Sequence, residues 1–340
     1  MDVGIFTMFT VREGSTQFDA FNEWFRLIQQ AEDQGIDTFW IGESHFRPER
    51  AVMASPLIGA SAVAARTERM KIGLAVQVLP LANPLRVAEE TAIVDHISMG
   101  RLIVGVGRSS FLESYQGYNI DYGESRQRFT ESLDVLLGAW CKDTFSYQGE
   151  FYNFKNVQLV PKTYQIPHPP VRVAVESRDT FTLAGTLGFP IFIRHQMSIS
   201  ELQQLLSEYK DARAQAGFDG PNDVILQIGG YVAGTARDAI DDPEESSMHR
   251  IRVIQDNLDK AADEETYERL KASSSVTYED LLQRVAFGTP DAVIEKVKQY
   301  QNDLGITGIS FDINPGGQIP FSKVSKSLQL LTSKVMPALK

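Results

Sequence analysis

Gly35–Phe46 reads GIDTFWIGESHF and contains the repeating unit from which the fold is predicted. Gly35 follows a helical pattern over Gln17–Gln34, and glycine is a common residue at the end of a helix. Thr38–Ile41 is a short apolar run without polar alternation, which is typical of a parallel strand buried on both faces. Polar residues follow at once. The stretch therefore predicts a helix end, a buried strand and a polar strand terminus.

The same alternation of buried strand and helix recurs along the whole chain of 340 residues. Eight such units predict either an open doubly wound sheet or a closed barrel, and eight within this length favour the barrel. We therefore predict an α/β fold, a (β/α)8 TIM barrel that forms a single domain over residues 1–340. The predicted strands are Val3–Phe9, Thr38–Ile41, Lys71–Val78, Leu102–Val106, Val171–Val175, Pro190–Ile193, Val224–Tyr231 and Gly308–Ile313. The predicted helices are Gln17–Gln34, Ser55–Ala65, Pro84–Ile97, Ser125–Trp140, Arg178–Leu187, Ile199–Gln215, Pro290–Asp303 and Phe321–Met336.

Two stretches interrupt this alternation. Phe145–Pro161 has the pattern of a hairpin or an irregular excursion between the fourth helix and the fifth strand. Ala239–Ser275, an insertion before the last strand, is rich in charged residues and ends in three serines. Its simpler interpretation is a solvated helical insertion. The other is a lid over the barrel mouth, because long insertions in compact domains are often functional; the two interpretations are compatible.

Composition restricts the function classes. The net charge of −11 and the pI of about 5.0 argue against binding to nucleic acid or to an anionic membrane. The single cysteine, Cys141, cannot form an internal disulfide and suits a reducing compartment. Neither a signal peptide nor a membrane-spanning run is recognisable. We therefore expect a cytoplasmic protein, and we predict no metal site because no metal-binding motif is present.

The residues after the second strand place a histidine beside a carboxylate. In a (β/α)8 barrel the chemistry lies at the C-terminal ends of the strands, which is where Glu43, Ser44 and His45 fall. Histidine is the commonest general acid or base near neutral pH, and a nearby carboxylate can fix its tautomer. The alternative is a structural histidine that is hydrogen-bonded to the backbone.

Two further strand ends carry residues suited to a phosphate group. Ser177 is a natural N-cap for the helix after the fifth strand, and Thr180 lies three residues on. The free N–H groups at a helix start bind phosphate, and Arg108 and Arg126 would add charge-assisted bonds. The alternative is a plain helix cap. No dinucleotide fingerprint or P-loop is present, so any reducing power would arrive on a carrier other than nicotinamide.

Several blocks of the chain resemble, in the family's order, the bacterial luciferase family of flavin-dependent monooxygenases, and particularly its catalytic α subunit. The resemblance runs over nearly the whole chain. It is carried by GIDTFWIGESHF (Gly35–Phe46), VLPLANPLRVAEE (Val78–Glu90), MGRLIVGVGR (Met99–Arg108), VQLVPKTY (Val157–Tyr164), VAVESRDT (Val173–Thr180) and SKVMPALK (Ser333–Lys340).

The resemblance implies a binding site for flavin mononucleotide, FMN. Its phosphate end would be formed by the residues that match the family's phosphate site, and the peptide bond between Ala75 and Val76 would be a cis bond beneath the flavin ring. The implied phosphate residues are Arg108, Arg126, Glu176, Ser177 and Thr180.

The resemblance also implies the reaction and its partners. Reduced FMN would come from a separate flavin reductase and would react with O2 at the barrel mouth to oxygenate an apolar small molecule, for which a long-chain aldehyde is the family-level expectation. Phe9, Phe46, Phe111 and Tyr115 near strand ends suggest an apolar pocket, although such residues are as often core. The family pairs its barrels through helices near the second and third βα units, which implies a homodimer or a heterodimer with a related chain.

The chain departs from the luciferase α subunit at two places. Ser44 stands where the family has the histidine assigned as a catalytic base, and a serine hydroxyl is no general base at neutral pH without help. We therefore expect His45 to act as the acid or base, with Glu43 and Ser44 as its neighbours. The family's reactive cysteine is absent near Val106 and Gly107, and we do not predict light emission.

Three other functions are compatible with these patterns. Oxidoreductases that use the deazaflavin F420 belong to the same superfamily and transfer hydride without oxygen. A non-catalytic flavin-binding subunit is disfavoured by the intact phosphate residues, but Ser44 leaves it open. An aldolase or isomerase would rest on the fold alone, and no lysine or metal cluster at the predicted strand ends supports it.

Overall fold

Eight short strands of mainly branched and aromatic residues form a closed parallel barrel in the computed structural model, which describes residues 1–340. The last barrel strand pairs with the first, and every neighbouring pair is parallel. The predicted (β/α)8 barrel is therefore confirmed. The barrel strands are β1 (Asp2–Thr7), β2 (Thr38–Ile41), β3 (Lys71–Leu74), β4 (Leu102–Gly107), β5 (Val171–Val175), β6 (Ile191–Arg194), β7 (Val224–Val232) and β8 (Gly308–Asp312).

Each barrel strand is followed by a helix that packs outside the barrel, and further helices follow β4 and β7. α1 starts at a capping box in which Thr16 and Asp19 satisfy each other's backbone N–H groups, and the chain leaves it through Gly35 at a φ of 85°. None of the helices is long and apolar enough to cross a lipid bilayer. The helices are α1 (Gln17–Asp33), α2 (Pro56–Ala64), α3 (Pro84–Ile97), α4 (Ser125–Cys141), α5 (Arg178–Thr186), α6 (Ile199–Gln215), α7 (Pro290–Leu304) and α8 (Phe321–Leu330).

Both faces of the barrel strands are buried, because alternate side chains point into the barrel and out toward the helices. Phe6, Trp40, Phe192 and Ile225 form a cluster of their own, separate from the larger core to which the outward-pointing Ile5 belongs. A Cβ atom at Gly73 would overlap the Trp40 ring, so glycine is required there for the ring to fit. This two-sided burial explains why the strands lack polar alternation.

Several predicted boundaries were wrong, among them those of three elements. The apolar run Lys71–Val78 is divided into β3 and a two-residue strand, Gln77–Val78. β1 ends at Thr7, because Phe9 has a φ of 57° and packs its ring 5.2 Å from that of Phe21. The last predicted helix changes after Leu330 into a π-helix over Leu331–Val335.

The two interruptions of the alternation have regular structure. Phe145–Gln148 and Asn153–Val157 form an antiparallel hairpin. The region between β7 and α7, which we call the insertion (residues 236–288), contains helices Ala236–Gln255, Glu264–Ser274 and Tyr278–Leu282 and the strand Ala286–Gly288, which pairs with the end of β7. The insertion therefore starts earlier and ends later than the predicted Ala239–Ser275.

Candidate active site

The C-terminal ends of the barrel strands surround one large cavity of about 810 Å³, within the roughly 300–1,000 Å³ range of small-molecule sites. All ten residues predicted for the site line this cavity, although they come from five separate segments of the chain. Barrel closure brings them together. They are Glu43, Ser44, His45, Ala75, Val76, Arg108, Arg126, Glu176, Ser177 and Thr180.

Glu43 and His45 form a buried hydrogen-bonded pair after β2. Nε2 of His45 lies 2.6 Å from Oε1 of Glu43, and the backbone N–H of Val78 donates to the other carboxylate oxygen at 2.9 Å. The hydroxyl of Tyr118 lies 3.2 Å from Nδ1 of His45. An ionised carboxylate can only accept, so Nε2 carries the proton in that state and Nδ1 accepts from Tyr118.

Burial controls the electrostatics of this pair. Removal of water around Glu43 raises the pKa of its carboxyl above the ordinary value, and the hydrogen bond and charge of His45 oppose that rise. Burial also raises the pKa of Tyr118, with a smaller contribution from the charge of Glu43. Glu43, His45 and Tyr118 therefore form a chain of groups that can hold a proton inside the protein.

The start of α5 forms a second polar end of the cavity. Oγ1 of Thr180 accepts from the N–H of Ser177 at 3.1 Å and donates to the carbonyl of Ser177 at 2.7 Å, so it stabilises the turn. Oγ of Ser177 lies 3.3 Å from Oγ1 of Thr180. The N–H groups of Arg178 and Asp179, the first two residues of α5, donate to no other protein group, whereas the N–H of Thr180 donates to the carbonyl of Ser177 at 3.0 Å. This end of the cavity can therefore donate several hydrogen bonds to one anion.

Two arginines add positive charge beside the start of α5. Nη1 of Arg108 donates to Oγ of Ser125 at 3.2 Å. Nη1 of Arg126 lies 2.8 Å from Oδ2 of Asp179, and both side chains are more than half exposed. An exposed ion pair contributes only about 0–1 kcal/mol, so an incoming dianion can replace Asp179 as the partner of Arg126. The donor set fits a phosphate group.

An apolar wall lies between the two polar ends. The peptide bond between Ala75 and Val76 is cis, which confirms the bond that the resemblance implied. A Cβ atom at Gly105 would overlap the carbonyl oxygen of Leu74, and one at Gly107 would lie 2.8 Å from the Val76 side chain. Both glycines of β4 therefore let this strand pass close to the bend after β3, and Ala75 and Val76 line the cavity there.

The insertion closes one side of the cavity. Arg269 contacts two strand ends: Nη1 lies 3.1 Å from Oε2 of Glu176, and Nη2 donates to Oγ of Ser110 at 3.0 Å. Tyr122 donates from its hydroxyl to Oδ2 of Asp263 at 3.1 Å. The insertion is thus tied to the loops after β4 and β5, and it contributes His249, Arg250, Val253, Ile254, Arg269 and Leu270 to the cavity wall.

Sequence reasoning missed four arginine and tyrosine side chains of this region. Arg194 is the last residue of β6, so the rule that chemistry lies at strand ends could have found it. Arg50, Arg250 and Tyr118 carry no motif, because they lie in a loop, in the insertion and after a short helix over Leu112–Gly117. Only the folded structure brings them to the site.

The sequence matches the family described as luciferase-like monooxygenase over residues 1–307. It is 25% identical over 341 residues to the oxygenase component of flavin-dependent trigonelline monooxygenase from Acinetobacter baylyi, covering 96% of this chain and 92% of that protein. It is also 25% identical over 336 residues to the alkanal monooxygenase alpha chain of the Kryptophanaron alfredi symbiont, covering 92% and 91%.

Solved structures with the same fold bind different cofactors. The oxygenating constituent of 3,6-diketocamphane monooxygenase from Pseudomonas putida, in complex with FMN, superposes with a TM-score of 0.85 at 18% identity and covers 99% of this chain and 98% of that one. An F420-dependent secondary alcohol dehydrogenase superposes with a TM-score of 0.79 at 17% identity and covers 100% and 99%. The fold by itself therefore does not select the cofactor.

Proposed function

The chain belongs to the luciferase-like monooxygenase family, and we propose that it is the oxygenase component of a two-component system. It is a flavin-dependent oxidoreductase. A separate reductase supplies reduced FMN, which this chain uses with O2 to oxygenate a small molecule with an apolar body. The observation that carries the proposal is the convergence of a cationic phosphate end, a flat apolar wall and a buried histidine in one cavity.

We assign the phosphate of FMN to the start of α5. Ser177, the first N–H groups of the helix and the guanidinium groups of Arg108 and Arg126 donate to it. Thr180 acts by fixing the turn. Glu176 is a secondary member of the phosphate site. It pairs with Arg269, whose positive charge neutralises the carboxylate beside the phosphate. The flavin ring lies along the wall that contains Ala75 and Val76.

We assign the acid or base role to His45. FMN, when bound, supplies the chemistry that activates oxygen. Glu43 orients the imidazole through Nε2. Nδ1 is the nitrogen assigned to the reaction, because its 3.2 Å bond to Tyr118 is longer than the 2.6 Å bond that holds Nε2 to Glu43. Ser44 is a neighbour that lines the same wall.

We propose that the insertion, including the predicted lid Ala239–Ser275, excludes water from the cavity. Its contacts with Glu176, Ser110 and Tyr122 support a closed position. The apolar body of the substrate would pack on Phe6, Met8, Trp24, Phe111 and Phe192, which line the cavity. A long-chain aldehyde is one molecule of this class.

We propose that two copies associate through α2 and α3, which pack together on one side of the barrel. This side exposes large apolar residues that a partner would cover. Ile58 is 72% exposed on α2, and Ile93 and Ile97 are 45% and 42% exposed on α3. A homodimer is the simplest assembly that buries them.

Anaerobic titration followed by rapid mixing with oxygen tests the proposal. We expect saturable binding of reduced FMN, weaker binding of reduced F420, and reoxidation of bound FMN at a rate that differs from that of free FMN. Tighter binding of F420 with hydride transfer to a carbonyl compound would favour the F420 alternative. Binding of FMN with reoxidation at the rate of the free cofactor would favour a non-catalytic subunit.

A further inference from the structure

The cavity contains a second group of arginines, distinct from the two assigned to the phosphate. Arg50 follows β2, Arg194 ends β6, and Arg250 lies in the insertion helix Ala236–Gln255. We propose that these three arginines bind an oxyanion of the substrate, namely a carboxylate or a group of the same chemistry. The inference rests on the proposed function, because it assumes that the FMN phosphate occupies the start of α5.

Two of the three arginines have no ionic partner in the protein. No carboxylate lies within 4.0 Å of Arg50 or Arg194, whereas Arg250 lies 3.6 Å from Asp312. The one hydrogen-bond acceptor of the Arg50 guanidinium is the sulfur of Met8, 3.9 Å from Nη2. The group therefore has donors in the cavity wall that no protein anion occupies.

Arg194 has one neutral acceptor. With its amide oxygen turned toward Arg194, Gln196 accepts from Nε at 3.2 Å and from Nη1 at 3.3 Å. A neutral amide fixes the direction of the guanidinium without adding a charge, and the carboxylates of Glu176 and Asp312 stabilise the cation only from beyond 4.0 Å. Arg194 is thus held in place with a positive charge that an anion from outside the chain can balance.

Neighbouring positive charges disfavour the charged forms of Arg194 and Arg50. Burial, and then the charge of Arg250, lowers the pKa of Arg194 to about 9. The pKa of Arg50 lies well below its usual range, first because of burial and then because of the charges of Arg194, Arg47 and Arg250. Burying unpaired like charges is costly unless an ion of opposite sign joins them. A bound carboxylate would remove that cost.

The charge of the cavity is opposite to that of the protein. Eight arginines and five carboxylates line it, an excess of three positive charges, whereas the whole chain carries a net charge of −11. FMN has a single phosphate, for which Arg108 and Arg126 are already placed. Such a local reversal of sign attracts and retains an anion, and the FMN phosphate alone would leave the second group without one.

The surroundings define the rest of the ligand. The Phe111 ring lies under the guanidinium of Arg50 at 4.8 Å and under that of Arg47 at 3.9 Å, which holds both cations at the apolar wall. Phe192 and Met8 line the same cavity. The matching substrate therefore has an apolar body and one oxyanion at an end, and a neutral aldehyde would leave the arginines unpaired.

Binding of matched acids and amides to the FMN-loaded protein tests this inference. The probes are octanoate and octanamide, and benzoate and benzamide, titrated against the absorbance of bound oxidised FMN. A hydrogen bond from a charged donor is worth enough to give roughly ten- to one-hundred-fold tighter binding of the acid. We expect that preference in at least one pair, and we expect Arg194→Met and Arg50→Met each to remove most of it. Arg237→Met is the matched control, because it removes one charge from a side chain that is 88% exposed on the insertion.

The outcomes separate this inference from the proposed function. Equal binding of acid and amide in both pairs, with FMN bound, would overturn the inference and leave the function intact. The inference would also be wrong if Arg194→Met weakened the binding of reduced FMN while the preference for the acid persisted. The arginines would then contact the flavin ring instead of the substrate. Failure of the wild-type protein to bind FMN would instead refute the proposed function. Thermal unfolding checks that each variant is folded.

Discussion

Arg269 of the insertion lies 3.1 Å from Glu176 at the C-terminal end of β5, and so connects the insertion to the strand end that begins the proposed phosphate site. The same guanidinium donates to Ser110 after β4. One side chain thus ties the insertion to two strand ends. If the insertion acts as a lid and the start of α5 binds phosphate, as proposed, Arg269 would link the two events.

Arg269→Met should loosen the insertion and admit water. The lost bonds to Glu176 and Ser110 are worth about 1–3 kcal/mol at a site that is 18% exposed. We expect several-fold more hydrogen peroxide released per reduced FMN consumed, measured by a coupled peroxide assay. Lys271→Met is the control, because Lys271 is half exposed on the same helix and pairs only with Glu268. Identical peroxide yields in both variants would refute the role of the insertion in excluding water.

Arg108→Gln should weaken the binding of FMN but not the binding of riboflavin, which has the same ring and no phosphate. Loss of a charge-assisted bond predicts that the dissociation constant of FMN rises roughly ten- to one-hundred-fold, as measured by fluorescence quenching. Asp179→Asn serves as the comparison, because it removes the carboxylate that competes for Arg126 and should keep or slightly strengthen FMN binding. If Arg108→Gln weakened both flavins equally, the phosphate would lie elsewhere.

His45→Gln should slow product formation while FMN binding stays within about threefold of wild type. Positioned acid or base groups contribute about 100- to 10,000-fold, and we expect a loss in the lower part of that range. Tyr118→Phe keeps the ring packed against His45 and removes only its hydroxyl, so we expect a smaller loss of up to about tenfold. Unchanged turnover in His45→Gln would show that His45 has a structural role and is not the acid or base.

The buried Glu43 carboxyl should make stability depend on pH. Because burial raises its pKa in the folded state above 4.5, Glu43 contributes most stability at low pH and loses it as pH rises from 4.5 through the raised value. The melting temperature of wild type minus that of Glu43→Gln should therefore fall across this interval, as measured by calorimetry in buffers of constant ionic strength. A difference that is constant with pH would show that Glu43 titrates alike in the folded and unfolded chain.

Ile58→Glu combined with Ile97→Glu should convert a dimer into monomers, because two charges would be buried at the proposed contact between α2 and α3 of each copy. Light scattering coupled to size exclusion measures the mass directly. Phe18→Glu changes an equally apolar side chain, 73% exposed on α1, and should keep the mass of wild type. If the wild-type protein is already a monomer, the proposed homodimer is wrong.

The sequence by itself determined the alternation of buried strand and helix. Every predicted barrel strand overlaps an observed one, and α3 and α6 have the predicted bounds, because burial on both faces and helical spacing are local properties that a short segment displays. The strand-end rule then selected Glu43, His45, Arg108 and Ser177, since in this architecture every strand carries its following residues to the same end of the barrel.

Only the tertiary structure decided which distant groups meet. Tyr118 faces His45, and Arg50, Arg194 and Arg250 surround one part of the cavity. Only Arg194 carries a local signal, as the last residue of β6; the other three carry none, because their proximity depends on barrel closure and on the path of the insertion. The division of Lys71–Val78 has a similar origin: all eight residues are suited to a strand, and the bend lies where Gly105 lets two strands approach. Local pattern reports how a segment is buried, whereas contacts between segments are set by packing over the whole fold.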